Sequence, residues 1–217
     1  MSKIVVFGAG GRAGRHAVAE AASRGHHVTA VVRDPARHSA LADARSVTLV
    51  AGDVTDADRV AAVAAGHDAA VNAAGRLDVP SEEFFTGAAR ALLDGLARAG
   101  VGRLVLIGIG TTLEAAPGVM VHDTPGFPPE ARAFSLGHAA ELDVLRAADT
   151  AVDWLVLAPP PALLDADAPR TGHYRIGGNQ VLPVTDETLF RYADLAVALI
   201  DEIENPTHHR TLAAVAS

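Results

Sequence analysis

Ile4-Val5-Val6-Phe7-Gly8-Ala9-Gly10-Gly11-Arg12-Ala13-Gly14 is the stretch on which the reading of this chain turns. Its first four residues are apolar on both faces and rich in β-branched side chains, as in a strand buried inside a sheet. Glycines follow at once. From Arg12 to Arg24 the alanines and Val18 recur on one helical face, and Gly25 supplies the stop. Strand, glycine loop and helix in this order make a cradle for phosphate. The tight turn needs positive φ, a Cβ would block a pyrophosphate, and the helix N-terminus offers unpaired N–H groups to anionic oxygens. A structural turn without ligand is the alternative, but one glycine would suffice for that.

The alternation continues outward. Val28–Val32, Val47–Val50, Ala69–Asn72, Leu104–Ile107 and Trp154–Leu157 read as further strands. Helices are predicted over Pro35–Ala44, from a Thr55 or Asp56 cap to about Ala65, from a Ser81 cap to Gly100, over Pro129–Ala148 and over Leu189–Glu204. A hairpin is expected around Gly177-Gly178 and a last strand from Thr211 to Val215. Regular alternation of this kind implies an α/β, Rossmann-type doubly wound parallel sheet with a small C-terminal substrate-side extension. The expectation is one domain over 1–217, with substrate-side elements at about 108–138 and 158–188. Ligands of such sheets sit beyond the carboxyl ends of the strands.

Composition narrows the partners. The 217 residues carry 18 Lys and Arg against 26 Asp and Glu, a net charge of −8. That balance argues against a non-specific nucleic-acid binder, which needs excess cations to meet phosphates. Cysteine is absent, which excludes disulfides, thiolate metal sites and a Cys nucleophile. No apolar run reads as a signal peptide or a membrane helix. The expectation is a cytoplasmic monomer or homodimer whose partner is a small molecule rather than a membrane.

The ends of the later strands carry the informative side chains. In NAD binders an acidic residue closing the second strand bonds the adenosine ribose. Here that strand ends Val31-Val32-Arg33-Asp34. Arg33 holds the selector position, and its guanidinium suits a 2′-phosphate through two parallel charge-assisted bonds. Arg12 and Arg37 are candidate further clamps. NADP(H) is therefore the expected cofactor, and NAD(H), read by Asp34, is the less favoured one. Gly52-Asp53-Val54 follows the third strand. There a carboxylate accepts from an adenine amino group while the next N–H meets a ring nitrogen, although a cap or turn accounts for the same residues. Asn72-Ala73-Ala74-Gly75 follows the fourth strand, where small residues admit close backbone approach to adenosine and ribose. The cofactor-binding set is thus Gly8, Ala9, Gly10, Gly11, Arg12, Ala13, Gly14, Arg33, Asp53, Val54, Ala73, Ala74 and Gly75.

These motifs resemble the atypical short-chain dehydrogenase/reductases: Gly8, Gly11 and Gly14 in G-x-x-G-x-x-G spacing, Val32-Arg33-Asp34-Pro35, Gly52-Asp53-Val54-Thr55-Asp56 and Val71-Asn72-Ala73-Ala74-Gly75. Thr171-Gly172-His173-Tyr174-Arg175, Gly177-Gly178 and Tyr192-Ala193-Asp194-Leu195-Ala196 are similar to the NAD(P)H-binding, NmrA-like and flavin-reductase-like branch. The resemblance covers essentially the whole chain and implies a nicotinamide cofactor. Active members of the wider superfamily usually place a Ser after the fifth strand and Tyr-x-x-x-Lys on the next helix. The Tyr exchanges the substrate proton, and the Lys lowers its pKa and holds the ribose. Here the fifth strand is followed by Gly108-Ile109-Gly110-Thr111-Thr112, and Phe134 and His138 stand where Tyr and Lys would be. Lys3 is the only lysine, and at the start of the first strand it cannot serve.

That departure points to a reaction with modest proton demands. Ketone reduction places a proton on an alkoxide and benefits from a positioned acid. Hydride transfer to a flavin or quinone spreads charge over a conjugated ring, so face-to-face positioning is the main requirement and water can supply the proton. The expected activity is NADPH-dependent hydride transfer to a small conjugated acceptor. Phe127, Phe134, Pro159 and Pro160 are candidates for the acceptor wall, and the loop 121–128 for a cover over the nicotinamide. Thr111, His122 and His138 are the candidate catalytic residues, though each also suits a structural role. No metal site is expected, because His26-His27 and His208-His209 lack further ligands. Gly-x-Ser-x-Gly is absent, and His122-Asp123 with Ser135 lacks the setting of a hydrolase triad. The competing reading is a non-enzymatic, NmrA-like NADP-binding redox sensor that docks on a regulator. A third is a redox-neutral tailoring enzyme that keeps the cofactor as a scaffold.

Overall fold

The computed structural model describes residues 1–183 and 189–217, so positions 184–188 of the expected substrate-side stretch 158–188 lie outside the described residues. Ten strands are described: β1 (Lys3–Phe7), β2 (His27–Val32), β3 (Val47–Ala51), β4 (Ala69–Asn72), β5 (Arg103–Ile107), β6 (Glu114–Ala116), β7 (Val119–Met120), β8 (Asp153–Ala158), β9 (Arg175–Ile176) and β10 (Thr211–Ala216). The helices are α1 (Arg12–Ser23), α2 (Ala57–Ala64), α3 (Ser81–Ala99), α4 (Pro129–Ala147) and α5 (Tyr192–Glu204). The main sheet runs β3-β2-β1-β4-β5-β8-β10-β9, and every neighbouring pair is parallel except β10 with β9. The chain is therefore a Rossmann-like α/β fold. Strand order reverses between β1 and β4, the place where such sheets open a crevice.

Strand β1 shows how the layers form. Val5 and Phe7 point into a core with α2, α3 and α4, while Ile4 and Val6 point into a core with α1 and α5. All four are 0–1% exposed, so this strand is buried on both faces as its unbroken apolar run requires.

Four local expectations change. Ser81 does not cap α3: it is the first helical residue, behind Pro80, and its hydroxyl donates to the Ala133 carbonyl at 2.8 Å, tying α3 to α4. Pro35–Asp43 forms two short 3-10 turns joined at His38, whose φ of −133° breaks a continuous helix. Leu189–Arg191 stay outside α5, because the Asp165 N–H bonds the Phe190 carbonyl and the Tyr192 N–H bonds the Asp165 carbonyl. No hairpin closes at Gly177-Gly178. That segment pairs with the final strand instead, through Gly177 N–H to Ala214 and Ala214 N–H to Gly178.

Below the sheet, far from the glycine loop, a charged knot ties α5 to the strands. Arg103 donates to Glu202 at 3.0 Å and to Asp153 at 2.7 Å. Burial pushes the Glu202 carboxyl up. Hydrogen bonds from the Thr207 hydroxyl, His208 and both backbone N–H groups outweigh it and hold the group below its usual range. A carboxyl depressed in the fold stabilises above the ordinary Glu range, and that contribution is lost as pH falls through it. Glu202→Gln should cost about 2 kcal/mol at pH 7 and much less at an acid pH where the folded carboxyl is protonated. Urea unfolding at both pH values checks this; an equal loss at both would rule out the linkage.

Candidate active site

Two adjoining hollows lie along the carboxyl ends of the strands and share Ala73, Ala74 and Gly75 at the end of β4. The first, about 280 Å³, is walled by Gly8, Gly10 and Gly11, the β2 end with Arg33, the β3 end with Gly52, Asp53 and Val54, and Arg76. The second, about 660 Å³, lies over β5 and β8 and is lined by Arg12, Ala13, Thr111, Phe134, His138, Pro159, Pro160 and Tyr192, among others. The division follows from topology. Helices leave on opposite faces at the switch point, so nothing fills the space above the strand ends between them.

The glycine loop is built for close approach. Gly8 has φ +72°, and a Cβ there would lie 2.5 Å from Ala74 backbone atoms. At Gly14 a Cβ would come within 2.2 Å of the Gly8 carbonyl oxygen. These positions hold the β1 end against β4 and α1 against the loop. Helix α1 starts after Gly11 with no side-chain cap and no acidic residue in its first turn, so its N-terminal amides and positive dipole are left to an anion. Ala9 does not line the cleft: it is fully buried, with its N–H on the Val31 carbonyl. Gly14 likewise serves packing and contributes nothing to the lining.

The first hollow brings Arg33 and Asp53 together as the strand ends predicted. Arg33 is exposed and forms no ion pair among the described residues. Asp53 Oδ1 accepts from the Thr55 N–H at 2.9 Å and from its hydroxyl at 2.7 Å. Burial raises the Asp53 carboxyl, but the Thr55 bonds, then Arg76 and Arg33, hold it below the usual carboxylate range. The turn is thus real, and it fixes the carboxylate at the rim. Two wall residues escaped sequence reasoning. The His38 ring packs where a Gly10 Cβ would stand, and Arg76, paired with Asp78 at 2.6 Å, supplies a second cation beside Asp53. A cation directly after Asn72-Ala73-Ala74-Gly75 was a readable signal for Arg76; nothing local marked His38. Arg37 is absent from the lining, and Arg12 lines the second hollow rather than the first.

In the second hollow Phe134 and His138 lie one helical turn apart on α4. The His138 ring centroid is 3.7 Å from that of Phe85, and its Nδ1 sits 3.2 Å from Glu141 Oε2, a carboxylate only 2% exposed. That contact orients the imidazole and leaves Nε2 as its other polar atom. The Pro159–Pro161 turn packs so tightly on Gly110 that a Cβ there would meet the Pro159 carbonyl at 2.4 Å. Phe127 and the whole 121–128 loop contribute nothing to the lining of either hollow. The loop is pinned instead: Val121 N–H bonds the Leu113 carbonyl, and His122 is buried behind α4. The structure does bring Ser135 to His122, but Ser135 is 0% exposed and off the cleft, so it offers no nucleophile to a substrate.

The residues present fit a dinucleotide. The Gly8–Gly14 loop and the α1 amides suit its pyrophosphate, the first hollow its adenosine half, and the second hollow its other half with room beside it. Among the described residues no helix is long and apolar enough to cross a membrane, and no cluster of His, Asp and Glu suits a metal ion.

Comparison with known proteins agrees with that geometry. The model of the NAD(P)H-binding family matches residues 8–206, and the chain belongs to that family. An uncharacterized Bacillus subtilis protein, YwnB, is 33% identical over 210 residues, which cover 95% of this chain and 94% of that one. A Burkholderia pseudomallei structure, provisionally named an exported protein, is 36% identical, with TM-score 0.84 and 100% of both chains covered. A Streptococcus pneumoniae structure, provisionally named an NADH-flavin reductase, is 27% identical, with TM-score 0.82 and 99% of both chains covered.

Proposed function

We propose that this NAD(P)H-binding protein is an oxidoreductase that uses NADPH to reduce a small conjugated acceptor of flavin or quinone type. The observation that carries the reading is the second hollow. It continues directly from the glycine cradle, and Phe85, Phe134 and three prolines stand in its wall beside Arg12, Thr111, His138 and Tyr192. Such a cleft offers flat apolar surfaces on which a conjugated ring can lie. Bound NADPH would supply the hydride. The chain's own task is to hold the two rings face to face. Tyr192 reaches the hollow from α5, but Lys3, the one lysine, opens β1 at the opposite edge of the sheet. The lack of a lysine in the hollow's lining supports a reaction that does not rely on a Tyr–Lys pair. The reductase name carried by the Streptococcus pneumoniae relative supports the same class. Arg33 favours NADPH over NADH.

The test is NADPH oxidation followed with a panel of flavins, quinones and simple ketones. Steady turnover is expected with at least one conjugated acceptor and not with the ketones. Tight NADPH binding with no turnover across the panel would replace the reductase reading with that of a redox sensor.

A further inference from the structure

Thr111 stands at the edge of the second hollow, and its hydroxyl points the way to a buried chain of polar groups. Thr111 Oγ1 lies 2.8 Å from Ser135 Oγ, and Ser135 Oγ lies 2.8 Å from His122 Nδ1. His122 Nε2 lies 3.5 Å from Asp123 Oδ2. Ser135 and His122 are 0% and 5% exposed, whereas Asp123 is at the surface, where Arg132 holds it at 2.7 Å. The line of groups therefore runs from the hollow, through the interior, to solvent.

Local turn formation does not require this arrangement. The neighbouring Thr112 hydroxyl satisfies itself within its own turn, on the Ile109 carbonyl at 2.8 Å. Thr111, Ser135 and His122 instead bond across three separate elements. Buried polar groups are costly unless every one is partnered, and here each is. His122 lies outside the acceptor hollow. Its ring lines a separate cavity of about 180 Å³, together with Asp143, Arg146 and Asn179. One imidazole thus stands between that cavity and the Ser135 hydroxyl, which meets Thr111, a residue of the hollow's lining.

We propose that Ser135 and His122 form a proton relay serving Thr111, and that the Thr111 hydroxyl protonates the acceptor as it is reduced. The inference rests on the reductase reading above and adds a proton path that it lacked. The two electrons travel only with the hydride from NADPH. The relay moves one proton. The Thr111 O–H breaks as a bond to hydrogen forms on the acceptor heteroatom. Thr111 Oγ1 takes the Ser135 proton, and Ser135 Oγ takes the Nδ1 proton of a protonated His122. The ring is left neutral, with its remaining proton on Nε2 facing the Asp123 carboxylate. Because Nε2 keeps its own proton, the next one returns to Nδ1 between turnovers, carried by water through the cavity that His122 lines. Asp123 helps to hold the charged ring; the other charged groups facing it are Asp143 and Arg146, with Arg132 acting through Asp123. Thr111 is the catalytic residue in this scheme, and Ser135 and His122 act through it.

The experiment uses the full chain with NADPH and the best acceptor of the panel. Ser135→Ala should lower kcat roughly 10²-fold with the KM for NADPH unchanged, the range of a lost general acid. Thr111→Val should lose as much, and Thr111→Ser should recover most of it. His122→Ala should be slow and should regain rate when imidazole is added, because a free base can enter the enlarged cavity; a merely structural histidine would give no such rescue. In the protein without cofactor, the ¹⁵N resonance of His122 Nδ1 should move in Ser135→Ala. Should the alanine variants fail to fold, the Thr111 Val and Ser pair decides. Wild-type turnover with Ser135→Ala at full rate, Thr111→Val at full rate, no imidazole rescue or an unmoved Nδ1 resonance would each overturn the relay and leave the reductase reading standing. A wild type that reduces no acceptor overturns the reductase reading, and the relay with it.

Discussion

Gly8→Ala should melt about 10 °C below the wild type and should bind no NADPH at concentrations that saturate the wild type. The reason is purely steric. Gly8 sits at φ +72°, where an L side chain pays about 1 kcal/mol relative to glycine. Its Cβ would also meet the Cα and N of Ala74 at 2.5 Å, and both are backbone atoms of the neighbouring β4 end. A flexible side chain could swing aside; this backbone cannot, because Ala73 N–H is bonded to the Phe7 carbonyl at 2.9 Å. Overpacking of this kind costs about 1–3 kcal/mol, so the sum is roughly 3 kcal/mol. For a chain of this size each kcal/mol moves Tm by about 2–4 °C. Relieving the clash means prising β1 from β4 at the switch point, which spoils the cradle as well. Gly102→Ala is the control, since its Cβ would meet nothing within 4 Å. Calorimetric melting and NADPH titration of both variants decide the matter. A Gly8→Ala protein that melts and binds as the wild type does would show that the loop is not the rigid cradle described.

Arg33→Asp should reverse the choice of coenzyme. NADPH affinity is expected to fall roughly 10²-fold or more, while NADH affinity holds or rises. Arg33 is exposed at the end of β2, lines the first hollow and carries no internal ion pair among the described residues, so its charge is available to a 2′-phosphate. Replacement by a carboxylate removes that attraction, adds repulsion and supplies the acceptor that a free ribose hydroxyl prefers. Asp53 keeps Arg76 beside it, so the rim is not left with unopposed negative charge. The measurement is isothermal titration with each coenzyme at a fixed ionic strength. An unchanged NADPH to NADH ratio would show that selection lies elsewhere, with Arg76 and His38 the next residues to test.

These two predictions differ in how much of them could be read from the chain alone. The glycines, Arg33 and Asp53 were legible because each occupies a strand end, and a βα fold carries every strand end to one edge. Short unbroken apolar runs identified the strands, and parallel topology did the rest. The second hollow was less legible. Phe134 and His138 were singled out because they stand where the family that the sequence resembles places Tyr and Lys, and Thr111 because it follows β5. Phe127 was misplaced for a related reason: it belongs to an irregular loop, where no period tells inside from outside. Ser81 looked like a cap by its position, and its hydroxyl went instead to a carbonyl 52 residues away.

Local rules therefore sufficed for the order of strands and helices and for marking the glycine loop, Arg33 and Asp53 as strand-end residues. These follow from patterns within a strand, a turn or a single helix, whereas the pairing of β1 with β4 and of β2 with β3 is what sets the strand ends side by side. What packing alone established is the long-range partnership: the His38 ring against Gly10, Gly8 against Ala74, and above all the hydrogen bonds from Thr111 through Ser135 to His122. Those groups come from segments well apart in the chain that meet only when the sheet and its covering helices are packed together. Hydrogen bonds are short-ranged and directional, so their partners exist only once the hydrophobic layers have set the distances.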